Sequence, residues 1–175
     1  QGTAEDMHRG FIFQSSEGVD SVVCGLTITG GYAEFGGAIY CIGDARPTIY
    51  RCIVSENKAY MGGGISTEPT SVSSPLIEQC LIVKNIAIIR EEPLGLDGTG
   101  GGLFLVGDGF GFGGVCGPEY TAYPTVRNCT ITGNVAELIG GGIWTMFACY
   151  STIENCIIRD NAALEFEKDQ EIGVG

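Results

Sequence analysis

The chain has 175 residues, 44% hydrophobic and only 17% charged, so it is long enough for one sizeable core and is no disordered acidic tail. A net charge of −12 excludes nucleic acid, whose phosphates need Lys and Arg in number, and disfavours polyanionic substrates such as pectin or alginate. The 29 glycines are about double the usual ~7% share and, without a Gly-X-Y period, predict an ordered, turn-dense, β-rich chain.

The chain opens at Gln1 with neither an initiator Met nor a signal-peptide pattern, which predicts a processed start or a position inside a longer polypeptide. No run of eighteen apolar residues occurs, so no membrane-spanning helix is predicted. GFIFQ, from Gly10 to Gln14, reads as a first strand. From Val22, VVCGLTITGGYAEFGGAIY is a degenerate copy of a unit that recurs as PTIYRCIVSENKAYMGGGIS from Pro47, PLIEQCLIVKNIA from Pro75, PTVRNCTITGNVAELIGGGIW from Pro124 and STIENCIIRDNAA from Ser151. The shared frame is Pro/Ser-x-[Ile/Val]-x-x-Cys-x-[Val/Ile]-x-x-Asn-x-Ala, followed by Gly-Gly-Gly-[Ile/Leu]. In the degenerate copy Leu26 stands in the cysteine place and Gly31 in the asparagine place.

Cys52 to Cys80 is 28 residues and Cys129 to Cys156 is 27, whereas Cys80 to Cys129 is 49 and carries about 22 extra. The pieces are too short for helices, and alternating apolar and β-branched residues punctuated by Pro, Asn and Gly read as three short strands per unit. A strand-rich unit of this length can bury its apolar positions only against its neighbours. The chain is therefore predicted as a single all-β domain over 1–175, a parallel β-helix (β-solenoid) of about five rungs with two insertion loops. The units run approximately 22–46, 47–74, 75–123, 124–150 and 151–175, and the insertions 88–99 and 104–123. At ~4.8 Å per rung the stack is about 25 Å long.

This frame resembles the bacterial right-handed parallel β-helix repeat proteins, and Gly36-Gly37-Ala38-Ile39 is similar to the GGA[ILV] motif of chlamydial polymorphic outer membrane proteins. The Phe-x-x-Asn motif of those proteins is missing: Ile53 to Asn57 and Ile131 to Asn134 carry aliphatic residues in its place. The resemblance covers roughly Val22 to Ala163. It implies a right-handed coil and an extracellular or cell-surface location, in a repeat family that includes adhesins, surface proteins and enzymes.

Ile49, Ile77, Val126 and Ile153 are expected to stack inside the coil, as are Val54, Ile82, Ile131 and Ile158. Asn57, Asn85, Asn134 and Asn161 fall where the strand must turn, where Asn tolerates a left-handed backbone and stacked amides can bond from rung to rung. Cys52, Cys80, Cys129 and Cys156 share an inward position. Stacked Cβ atoms there lie about 4.8 Å apart, beyond the ~3.8 Å a disulfide prefers, so all four are expected reduced. Cys24, Cys41, Cys116 and Cys149 are read as lying off this ladder in turns or insertions, where they could pair. The triple glycines precede no Gly-Lys-[Ser/Thr] and no helix, so they read as close backbone approaches and not as phosphate loops.

No catalytic residue is assigned. The Asn-Thr-Asp, Asp-Asp and Gly-His-Gly motifs of polygalacturonase-like enzymes are absent, and His8 is the only histidine. Lys58, Lys84 and Lys168 lie in turns or near the end, and Arg51, Arg127 and Arg159 form no single cluster. The candidate binding residues are the insertion aromatics Phe104, Phe110, Phe112, Tyr120 and Tyr123, which could stack on sugar rings or a partner chain or else fold back on the solenoid. No cofactor is required, although Asp97 and Asp108 with nearby carbonyls could hold Ca²⁺. The Gly-rich tail ending at Gly175 predicts either self-association end to end into filaments or continuation into a larger surface protein. The expected function is a non-catalytic structural or adhesive module with a glycan or cell-surface partner; the alternative is a carbohydrate-active β-helix domain using its insertion loops.

Overall fold

A computed structural model describes residues 2–3, 5–91, 95–108 and 121–164. All of its regular structure is β: twenty short strands in four parallel sheets of five, with β1-β5-β9-β13-β17, β2-β6-β10-β14-β18, β3-β7-β11-β15-β19 and β4-β8-β12-β16-β20 as the neighbour orders. Each step of four in strand number is one coil of a parallel β-helix. The first coil comprises β2 (Val22–Cys24), β3 (Thr27–Thr29), β4 (Tyr32–Phe35) and β5 (Ile39–Cys41). The second comprises β6 (Thr48–Tyr50), β7 (Ile53–Ser55), β8 (Lys58–Met61) and β9 (Ile65–Thr67), and the third β10 (Leu76–Glu78), β11 (Leu81–Val83), β12 (Ile86–Ala87) and β13 (Leu103–Val106). The fourth holds β14 (Thr125–Arg127), β15 (Thr130–Thr132), β16 (Val135–Ala136) and β17 (Ile143–Met146). The fifth contributes β18 (Thr152–Glu154), β19 (Ile157–Arg159) and β20 (Ala162–Ala163), while β1 (Phe11–Phe13) lies beside β5 ahead of the first coil.

Four strands per coil replace the three expected, because the Asn-x-Ala segment is itself a strand. It lies between two corners, and the two to four residues they leave pair with their equivalents above and below. The corners are backbone features that side-chain patterning does not show. Arg51, Gln79, Asn128 and Asn155, each just before a ladder cysteine, have φ of 51 to 55°, and Glu56, Lys84 and Asp160, just before a ladder asparagine, have φ of 55 to 56°. The left-handed residue is therefore the one preceding the asparagine and not the asparagine itself. This placement corrects the sequence expectation. Such a residue costs about 1–2 kcal/mol when it carries a Cβ, and it rotates the next side chain into the coil.

That next side chain makes the ladder. Asn57 Nδ2 donates to Asn85 Oδ1 (2.9 Å), Asn85 Nδ2 to Asn134 Oδ1 (3.0 Å) and Asn134 Nδ2 to Asn161 Oδ1 (2.9 Å). The same oxygens accept the backbone N–H of the asparagine one coil earlier, at 3.0–3.1 Å. Each amide also donates back to a carbonyl of the preceding coil, Asn85 to Val54 at 2.9 Å. Asn57, Asn85 and Asn134 are buried, and at these corners the ladder pairs main-chain groups that water cannot reach.

The cysteines run a second ladder on the same plan. The backbone N–H of Cys52 donates to Cys80 Sγ (3.5 Å) and that of Cys80 to Cys129 Sγ (3.4 Å), while each thiol donates to carbonyls such as Ile49 and Glu78 for Cys80. Around both ladders the core is the column Ile49, Ile77 and Val126 with the column Val54, Ile82 and Ile131, all fully buried, closed by Ile39, Ile65, Leu103 and Leu105 from the facing sheet. At the third corner the middle glycine of each triplet lies against the next coil. A Cβ on Gly63 would come within 2.5 Å of the Gly101 and Ile86 backbone, which is why no other residue serves there.

Asn85→Ala removes four side-chain bonds and leaves buried donors and a carbonyl unpaired, so a loss of about 3 kcal/mol or more is expected from urea unfolding. Asn161→Ala, at the half-exposed end of the ladder, should cost no more than about a third of that. Equal losses would show that burial within the ladder does not set its strength.

Candidate functional site

The two insertions lie against the solenoid in the described residues. Phe104 is not on a loop: it belongs to β13, on the outer face of its sheet, and is fully buried against Trp144 with ring centroids 5.0 Å apart. It forms a second apolar cluster with Met61 and Val106, against which Phe35, Leu96, Trp144 and Phe147 pack. The expected boundary of the second insertion at residue 104 thus moves past Val106. The matching Gly-Gly-Gly-Ile-Trp at Gly140 to Trp144 was the signal for a strand there, since Phe104 and Trp144 are register partners. Phe110, Phe112 and Tyr120 lie outside the described residues. Tyr123 is 56% exposed and stacks on Tyr150, itself 66% exposed, with centroids 6.1 Å apart; its N–H donates to Ser74 Oγ at 2.9 Å.

The first insertion turns back across the outer face of the first two coils. Arg90, which the sequence reading left out, organises it. Its Nε and Nη2 donate to the two oxygens of Asp97 at 2.6 and 3.0 Å, Nη2 also reaches Glu34 Oε1 at 3.2 Å, and the guanidinium lies 4.1 Å above the Tyr60 ring. Burial opposes the Arg90 charge, but the Asp97 and Glu34 carboxylates outweigh it and hold its pKa above the ordinary value. Tyr60 meets Tyr32 edge to face, and burial together with this contact pushes the Tyr32 hydroxyl up to about 12. Asp97, a calcium candidate from sequence, is buried with both oxygens on Arg90, so a cation there would have to displace the guanidinium. Asp108 lies half-buried beyond β13, and among the described residues no group of three His, Cys, Asp or Glu suited to a metal includes it.

The described cysteines are all free thiols. Cys24 and Cys41 are not in turns, as expected, but in β2 and β5; Cys41 points into the core in register with Phe13 and Thr67, and Cys149 packs half-buried against the same core. Cys116 lies outside the described residues. Burial pushes the Cys41 thiol up to about 12 and that of Cys149 up to about 11, and its bond to Cys129 together with burial raises Cys80. Raised in this way, the Cys41, Cys80 and Cys149 thiols are not poised as nucleophiles at neutral pH.

The remaining feature is the end of the stack. In β18, β19 and β20 the side chains that are buried in every inner coil are open: Ile153 is 41% and Ile158 47% exposed, against 0% for Val126 and Ile131 directly beneath them. Ile157 and Leu164 are exposed beside them. The opposite end differs. Gly2 N–H donates to the Gly30 carbonyl (3.0 Å), Tyr32 N–H donates to the His8 carbonyl (2.8 Å), and His8 forms an antiparallel bridge with Tyr32, so an N-terminal arm lies along the first coil. Val23 and Ile28 there are buried.

No protein-family model, no curated protein and no solved structure matches the chain.

Because the Cys41 pKa is raised by folding, its contribution to stability is complete below the unfolded thiol value of ~8.5 and is lost as pH rises toward 12. Unfolding midpoints are expected to fall from about pH 8.5 upward, and less steeply in Cys41→Ala. Superimposable pH profiles would contradict this assignment.

Proposed function

We propose that the protein is a non-catalytic structural or adhesive β-solenoid module of the extracellular or cell-surface kind, lengthened at its C-terminal edge. The observation that carries this reading is the last coil, whose ladder side chains stand exposed where those of every inner coil are buried. A surface location is what the resemblance to bacterial β-helix repeat proteins implies. End-to-end assembly of copies and continuation into a larger surface protein are the two ways such an edge can be extended.

Support for a non-catalytic role comes from the engagement of several of the described acid and base groups. Glu34 and Asp97 hold Arg90, Glu78 holds Arg127 at 3.0 Å, and His8 lies on the exposed surface beside Asp6 at 2.9 Å. A glycosidase needs two carboxylates facing a substrate, one of them able to give up a proton. These carboxylates face cations instead.

A second reading, glycan binding, is favoured by one observation: Tyr123 and Tyr150 present a stacked, exposed pair of rings next to the start of the fourth and fifth coils. Flat aromatic faces suit the apolar side of a pyranose.

Incubated with pectin, alginate, xylan and β-glucan, the chain is expected to release no reducing ends and no unsaturated product above a heat-denatured control. Product that disappears on substituting Glu34 or Asp97 would overturn the non-catalytic reading. On immobilised neutral glycans, retention that falls about tenfold in the double variant Tyr123→Ala, Tyr150→Ala would support the binding reading, whereas unchanged retention would remove it.

A further inference from the structure

The chain carries 21 acidic residues against nine basic ones, so two copies repel at long range. The outer face of the sheet β3-β7-β11-β15-β19 departs from that pattern. On both sides of this sheet the links to the neighbouring strands are two residues in every coil, and both insertions leave elsewhere, after β12 and after β13. Each strand holds one buried residue between two that face outward. In β3, β7, β11 and β15 none of the outward residues is charged, and Ile53 is 41% exposed.

The four rows are symmetric in kind. β3 and β15 both read Thr-x-Thr; between them β7 presents Ile53 with Ser55 and β11 presents Leu81 with Val83, all in one register. The residues that follow these strands at the corner are Gly30, Glu56, Lys84 and Gly133. They repeat the symmetry about the midpoint between β7 and β11, with opposite charges at the two central places. All four have φ of 56 to 72°, so the chain leaves each row in the same way. Among the described residues neither the Glu56 carboxylate nor the Lys84 ammonium makes a hydrogen bond or ion pair.

We propose that this face pairs with the same face of a second copy, about a twofold axis lying in the face, parallel to the strands, between β7 and β11. That axis keeps the strand direction. It lays the Thr-x-Thr row of β3 on that of β15, Ile53 on Leu81 of the partner subunit and Glu56 on Lys84 of the partner subunit, each contact occurring twice. Glycine at the outer two corners leaves no side chain to hold the sheets apart. An aliphatic centre with a polar rim is the ordinary anatomy of such a contact. The rim charges add little affinity but fix the orientation. Four rows at ~4.8 Å by five residues at ~3.3 Å give roughly 300 Å² per copy, well under the ~800 Å² of a stable complex, so the pair is weak and forms where the chain is concentrated. It is lateral, closes at two copies and uses neither end of the stack, and so goes beyond the lengthening proposed above.

Sedimentation equilibrium of the full chain under reducing conditions, from about 10 µM to about 1 mM, is expected to show a monomer–dimer equilibrium with its midpoint in the upper part of that range. Ile53→Lys should abolish it. Glu56→Lys and Lys84→Glu should each weaken it about tenfold, and an equimolar mixture of these two variants should regain it, because every central contact is then between opposite charges. Both charge variants carry residues that this corner already holds, so they keep the test open if Ile53→Lys does not fold. A general charge effect has the other sign: Glu56→Lys makes the net charge two units less negative than −12, which by itself favours association. Tighter self-association of Glu56→Lys, a mixture that regains nothing, or a chain that stays monomeric at about 1 mM overturns the pairing. Growth beyond the dimer also overturns it, while leaving the lengthening reading in place.

Discussion

Every complete coil of this protein must turn its backbone between successive members of its four strands, around a core that water does not reach, and the stacked asparagine amides are what make one of those turns tolerable. Buried main-chain N–H and C=O groups at a corner have no sheet neighbour to bond, and leaving them unpaired is costly. Asn57, Asn85 and Asn134 satisfy them by reaching one coil forward and one coil back, so each bond belongs to two coils at once. Stability is consequently a property of neighbouring pairs, as in other linear repeats. The cysteine ladder repeats the device with a weaker acceptor. Its thiols are structural hydrogen-bonding groups, and the bond to Cys129 together with burial raises the pKa of Cys80.

The regular spacing also limits where extra chain can go. An insertion placed inside a ladder would shift register and turn every following side chain to the wrong face. Both insertions instead fall outside the Cys-to-Asn stretch, and the first is held on the outer surface by Arg90, Glu34 and Asp97. With the Asp97 carboxylate buried, its pairing to Arg90 adds little net stability, yet losing the guanidinium would leave a buried charge unpaired, so the contact holds the loop in place. The second apolar cluster around Phe104, Met61 and Val106 makes this side of the solenoid two layers thick. Phe104 is thereby spent on packing, and among the described residues Tyr123 stacks on Tyr150 as an exposed pair.

The two ends of the stack are chemically unlike. At the N-terminal end Gly31 and Leu26 terminate both ladders, since neither passes a side-chain bond onward, and an arm lies along the strand edge. At the C-terminal end Cys156 and Asn161 keep both ladders in register with exposed aliphatic residues around them. An edge of that kind is a site for strand pairing.

The sequence by itself determined the fold class, the coil length, the two ladders and the reduced state of Cys52, Cys80, Cys129 and Cys156, because each is a consequence of spacing. Residues 27 or 28 apart with the same character must stack. Tertiary structure decided what spacing does not encode. The left-handed corners fall at Arg51, Glu56 and their equivalents, residues with no common side chain, since the requirement is on backbone torsion and many polar residues meet it. Phe104 and Cys41 look like loop residues beside glycines, yet their burial depends on which coil lies next to them. Arg90 became visible only when the chain folded across 30 residues of sequence to Tyr60 and 56 to Glu34, because an ion pair across coils leaves no periodic trace.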